Sequence, residues 1–67
     1  MDIEMIESKI GEIVAELERE AMEVIGDEKL DKKQTNLRMK PLTSTKQILL
    51  NAIDSIKMVD RLSKENM

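Results

Sequence analysis

The sequence predicts an all-α protein built from two long amphipathic helices that form a helical bundle by homo-oligomerisation. Apolar residues recur with the period of an α-helix in two long segments, which is the first observation behind this prediction. The second is that aromatic residues, which favour β-strands, are absent. The third is that 67 residues without Cys or His form a single small domain that no disulfide or zinc ion stabilises.

The first helix is predicted over residues 2–25. Asp2 suits the N-cap, and Gly26 suits the position just after the helix end. With successive residues about 100° apart, one arc of this helix is almost entirely apolar. The residues of this arc that we expect in the oligomer core are Ile3, Ile6, Ile10, Ile13, Val14, Leu17, Ala21 and Val24.

The second helix is predicted over residues 44–64. Pro41 should block any helix that runs through it, and Ser44 and Gln47 have the spacing of a capping box. The apolar arc of this helix covers about half of its circumference, which is more than one neighbouring helix can cover. Its residues expected in the oligomer core are Ile48, Leu49, Ala52, Ile53, Ile56, Val59 and Leu62.

Residues 26–43 are predicted to form a basic connector. Connections of this length rarely lack secondary structure, so a short helix over about 28–36, capped by Asp27, is an additional candidate. Net charge is −8 over residues 1–28, +5 over 29–46 and zero over 47–67. The basic side chains therefore neutralise the acidic end of the first helix, contact phosphates, or contact an acidic protein partner. These side chains are Lys29, Lys32, Lys33, Arg38, Lys40 and Lys46.

Self-association is expected from size and geometry. A domain this small hides only about 60% of the surface of its unfolded chain. In a lone hairpin, each helix covers only one side of the other, and the apolar arc of the second helix is too wide for that. We therefore expect a homo-oligomer, most simply a dimer of two-helix protomers.

Composition argues against catalysis. The chain has no Cys nucleophile, no His base and no Gly-rich phosphate loop, and we expect no metal and no cofactor. A ridge of acidic residues on the first helix is interpreted as a solvated face, with a partner-binding face or a metal site as the alternatives. This ridge consists of Glu12, Glu16, Glu20 and Glu23.

The predicted function is that of a non-enzymatic module that acts through protein–protein contacts as a regulator, an inhibitor or an adaptor. The alternative is a small nucleic-acid-binding regulator that uses the basic segment 29–46. The acidic N-terminal residues and the absence of a long apolar run predict a cytoplasmic protein without membrane contact.

Overall fold

The computed structural model describes residues 1–65 and contains two antiparallel helices joined by a short connection. Helix α1 spans Ile3–Ile25 and helix α2 spans Lys32–Glu65. The two helices pack against each other as a hairpin. The all-α prediction with two long helices is confirmed.

Helix α1 begins and ends where the sequence predicts. The Asp2 side chain accepts a hydrogen bond from the backbone N–H of Met5 at 3.0 Å, which satisfies a donor of the first turn. At the other end, the N–H of Gly26 donates to the carbonyl oxygen of Met22 at 2.9 Å. Gly26 keeps a right-handed backbone with φ −81° and ψ −3°, so the helix end does not depend on a left-handed glycine.

Helix α2 starts at Lys32, so the prediction that the second helix begins at residue 44 is wrong. The N-terminal capping box is formed by Asp31 and Gln34, whose side chains each accept the other's backbone N–H, at 2.8 and 3.1 Å. Ser44 and Gln47 do not form the predicted capping box, because both lie inside α2. The Gln47 amide donates instead to the side-chain oxygen of Asn51 at 3.0 Å.

The predicted short helix over 28–36 is also wrong. Asp27 accepts the N–H of Lys29 on its side chain at 3.0 Å and the N–H of Leu30 on its carbonyl at 3.2 Å, which folds this segment into a turn. Residues 32–36 are the first turns of α2. The connection between the helices is therefore residues 26–31 and not 26–43, a length that is common between antiparallel helices.

Pro41 lies inside α2 and does not end it. Proline has no N–H to donate to the carbonyl four residues earlier, and in a helix interior it costs about 3 kcal/mol. The residues before and after Pro41 compensate because Met39 and Leu42 are half-buried against α1. Packing on both sides of the proline thus keeps the helix continuous.

The core is a single seam between the helices. From α2 it takes one residue per turn in a seven-residue repeat that runs straight through Pro41. Among residues 1–65 only Val14 is fully buried, with 8% of its surface exposed. The Cα positions extend over 56 × 18 × 9 Å, so the hairpin is one helix thick. The α1 side of the seam is Ile3, Ile6, Ile10, Val14, Leu17, Ala21 and Val24, and the α2 side is Thr35, Met39, Leu42, Lys46, Leu49, Ala52, Ile53, Ile56 and Asp60.

The position of the α2 N-terminus is tested by two alanine substitutions. Asp31→Ala removes a cap and should lower the free energy of unfolding by about 1 kcal/mol. Ser44→Ala should leave it unchanged or raise it slightly, because Ser44 lies in an exposed helix interior where Ala is the better helix former. Urea unfolding at one fixed protein concentration measures both variants. A larger loss for Ser44→Ala than for Asp31→Ala would move the helix start back to Ser44.

Candidate protein-interaction face

Two ion pairs join the helices along one side of the hairpin, which we call the closed face. The Lys57 ammonium lies 2.9 Å from a carboxylate oxygen of Glu7, and the Lys46 ammonium lies 3.0 Å from one of Glu18. In both pairs α1 supplies the carboxylate and α2 the ammonium. The side chains are about half exposed, so each pair stabilises the hairpin by less than about 1 kcal/mol. The two pairs also show which residues of α1 and α2 lie level with each other.

The opposite side of the hairpin, which we call the open face, carries apolar side chains from both helices. Ile13 lies on one flank of the buried Val14 and Glu18 on the other, since successive residues are about 100° apart. On α2, Ile48 and Lys46 lie on opposite flanks of Leu49 in the same way. Because the helices are antiparallel, these two apolar flanks face the same direction. The open face consists of Ile6, Ile13, Ile48, Ala52, Val59 and, at its outer edge, Leu62.

Most of the open face is uncovered. The exposed fraction is 50% for Ile13, 66% for Ile48 and 60% for Val59. Within residues 1–65, no ion pair joins the two helices across this face. Exposed aliphatic side chains gathered on one side of a protein are typical of a site that contacts another protein.

The structure divides the predicted oligomer core into two sets. Most of its members lie in the seam and are already covered within one hairpin, with Ile6 and Ala52 at the border between the seam and the open face. The members left exposed are Ile13, Ile48, Val59 and Leu62.

Five seam residues are not in the predicted oligomer core: Thr35, Met39 and Leu42, which lie in the predicted connector, and Lys46 and Asp60, which are charged. The signal that reveals the first three is the seven-residue repeat of Leu49, Ile53 and Ile56, which continues without interruption toward the N-terminus of α2.

Two of the predicted basic contact residues lie beside acidic side chains of the same chain. Lys46 pairs with Glu18 on the closed face. Arg38 lines an open polar cleft near the connector, together with Glu20, Glu23 and Asp27. This arrangement supports the interpretation in which the basic side chains face the acidic end of α1.

The remaining basic residues do not form a continuous stripe. Lys29 lies in the connector, and Lys32 is the first residue of α2. Lys33 and Lys40 are two turns apart on the outer side of α2, away from α1. A helix thus distributes around its circumference the charges that are adjacent in the sequence.

The acidic ridge of α1 is solvent-exposed. Glu12 lies 3.9 Å from the Lys9 ammonium, and Glu16 accepts a hydrogen bond from Arg19. In the described part of the chain, no three His, Cys, Asp or Glu residues are arranged to hold a metal ion. Neither α1 nor α2, as far as residue 65, combines the length and apolarity needed to cross a membrane.

Comparisons of this chain with protein-family models, with curated proteins and with solved structures give no match. We therefore infer function from the surface of the hairpin.

The contribution of the closed face is tested by removing one ammonium group. Lys46→Gln breaks the pair with Glu18 and should lower the free energy of unfolding by about 0.2–1 kcal/mol at low salt, with a smaller loss at high salt. Lys40→Gln, on the outer side of α2, is the matched control and should change little. Thermal unfolding at low and high salt measures both. Equal effects of the two substitutions would contradict the role of the pair.

Proposed function

We propose that this protein is a non-enzymatic module that self-associates through its open face and acts through protein–protein contacts as a regulator, an inhibitor or an adaptor. The open face is the observation that carries this proposal. It combines exposed aliphatic side chains from both helices on one side of the hairpin, among them Ile13, Ile48 and Val59. Such patches on soluble proteins mark interaction sites.

The accessible surface of the hairpin supports the proposal. The chain exposes 5570 Å², whereas a compact monomer of the same mass exposes about 4300 Å². A standard protein interface removes about 800 Å² from each partner. The excess surface of this hairpin, about 1200 Å² by the same scaling, is large enough to supply one side of such an interface.

The shape of the hairpin points in the same direction. Its radius of gyration is 16.2 Å, compared with about 11 Å for a compact domain of this length. Only Val14 is fully buried among the described residues. Two hairpins that meet through their open faces would give each helix a second neighbour and would convert the seam into the centre of a four-helix bundle.

Catalysis is not part of the proposal. The chain supplies neither a thiol nor an imidazole, which are common nucleophiles and general bases at neutral pH. The regulator, inhibitor and adaptor roles share the same requirement, a rigid helical surface that contacts protein.

Self-association predicts that stability depends on protein concentration. A folded state that is favoured by binding a second copy gains stability by mass action, so the melting temperature should rise as the concentration rises. Circular dichroism over a hundredfold range of concentration measures this, and light scattering on the same samples should report a dimer or a larger assembly. A monomer with a constant melting temperature would exclude self-association.

The open face predicts a strong contrast between two neighbouring residues. Val59 and Met58 are exposed to similar extents, 60% and 53%, but only Val59 lies on the open face. Val59→Asp places an unpaired charge in the interface, which should cost about 3 kcal/mol or more and weaken association at least about 100-fold. Met58→Asp should leave the assembly largely intact.

Analytical ultracentrifugation of both variants measures the association constant. Met58→Asp is the control for the helix propensity of Asp and for the added charge, because it introduces the same side chain one residue away. Equal weakening by both substitutions would show that the open face is not the interface.

A further inference from the structure

The two helices carry opposite net charges. Helix α1 contains seven carboxylates and only two basic side chains, a net charge of −5. Helix α2 contains eight basic and three acidic side chains, a net charge of +5. The sequence analysis does not predict this symmetry, because four of the eight basic side chains of α2, namely Lys32, Lys33, Arg38 and Lys40, fall in the predicted connector.

A face-to-face dimer of this hairpin has two symmetric arrangements, because a two-fold axis in the interface runs either along the helices or across them. In the same-end arrangement, the two connectors lie at the same end of the bundle, and each α1 packs on α2 of the other copy. In the opposite-end arrangement, the connectors lie at opposite ends, and α1 packs on α1 and α2 on α2.

We propose that two copies of this chain associate in the same-end arrangement, with α1 of each copy on α2 of the other. This inference rests on the proposed self-association and specifies its geometry. Charge complementarity is the first reason. The same-end arrangement puts a helix of net charge −5 beside one of +5, whereas the opposite-end arrangement puts like charges together, which is unfavourable at a protein interface.

The position of the apolar residues is the second reason. By the register of the closed-face ion pairs, Ile6, Val59 and Leu62 lie in the half of the hairpin away from the connector, and Ile13, Ile48 and Ala52 lie near its middle. Two copies in the same-end arrangement superimpose these halves while remaining in contact along their full length. In a fully overlapping opposite-end dimer, residues near the middle such as Ile13 and Ala52 still meet their own copies, but Ile6, Val59 and Leu62 face the connector half of the other copy.

The connector half of the open side fits the same-end arrangement too. Glu20 of α1 and Arg38 of α2 line the cleft on this side of the hairpin, opposite the cleft that contains Glu18 and Lys46. When the connectors lie at the same end, Glu20 of one copy faces the α2 segment of the other that carries Arg38. Opposite charges then meet at the border of the apolar contact.

Introduced cysteines distinguish the arrangements, because the chain has no cysteine of its own. By the register of the closed-face ion pairs, Ile13 is level with Ala52. Ile13→Cys and Ala52→Cys chains are purified separately, unfolded together, refolded and mildly oxidised. The same-end arrangement predicts disulfide-linked dimers in the mixture, at least tenfold more than in either chain alone. The opposite-end arrangement predicts cross-links within each separate preparation.

A control cysteine pair and a distance between spin labels on the two connectors complete the experiment. Met22→Cys mixed with Ala52→Cys should not cross-link, because Met22 is 70% exposed on a side of α1 away from the open face. Spin labels on Glu28→Cys, in the connector, should lie within about 25 Å of each other in the same-end dimer. They should lie about 35 Å or more apart in the opposite-end dimer, since α1 has 23 residues with a rise of about 1.5 Å each.

Light scattering on the spin-labelled Glu28→Cys chain tests self-association separately from the arrangement of the two copies. A dimeric mass with a short label distance and cross-links confined to the mixture supports the same-end arrangement. A dimeric mass with a long distance overturns the arrangement and leaves self-association standing. A monomeric mass overturns both, and assigns the open face to a partner of another kind.

Discussion

The thickness of a two-helix hairpin constrains everything else in this protein. Each helix has one neighbour, so a single seam is covered and the flanks of that seam face water on both sides. On the closed face, the residues that flank the seam are charged and pair with each other, Glu7 with Lys57 and Glu18 with Lys46. On the open face, the flanking residues are apolar and exposed, Ile13 on α1 and Ile48 on α2. This difference between the two faces is the basis of the proposed self-association through the open face.

Single ion pairs and the net charges of whole helices have different effects in this protein. Individually, the exposed ion pairs contribute less than about 1 kcal/mol each, because water and salt screen them. Collectively, they follow a pattern in which the acidic helix lies beside the basic one. In the proposed dimer, that pattern would affect the arrangement of the two copies more than their stability, since electrostatic complementarity at interfaces mainly determines orientation and disfavours incorrect arrangements. The same pattern accounts for a net charge of only −3 in a chain with 25 formally charged side chains, eleven basic and fourteen acidic.

Pro41 illustrates how packing overrides a local rule. A proline costs about 3 kcal/mol within a helix, and the segment before it contains Thr and Asn residues of modest helix propensity. Against this, the continuous α2 brings Met39 and Leu42 onto the connector half of α1, where Leu17 and Ala21 need cover. A second helix that began only at Ser44 would leave that half of α1 without a neighbour. The capping box of Asp31 and Gln34 supplies the defined start that the longer helix requires.

The all-α class, the bounds of α1 and the apolar residues that recur along each helix can all be predicted from the residues alone. These follow from local chemistry, namely the Asp2 cap, the helical period and the absence of aromatic residues. The start of α2 was also encoded locally by Asp31 and Gln34, but a competing local signal, Pro41, indicated a later start. Contacts between the helices select the earlier start, because the energy that offsets the proline comes from residues about twenty positions away in the chain. Tertiary structure also decided which apolar residues lie in the seam and which lie on the open face, since periodicity defines an arc but not the direction from which the neighbouring helix approaches it.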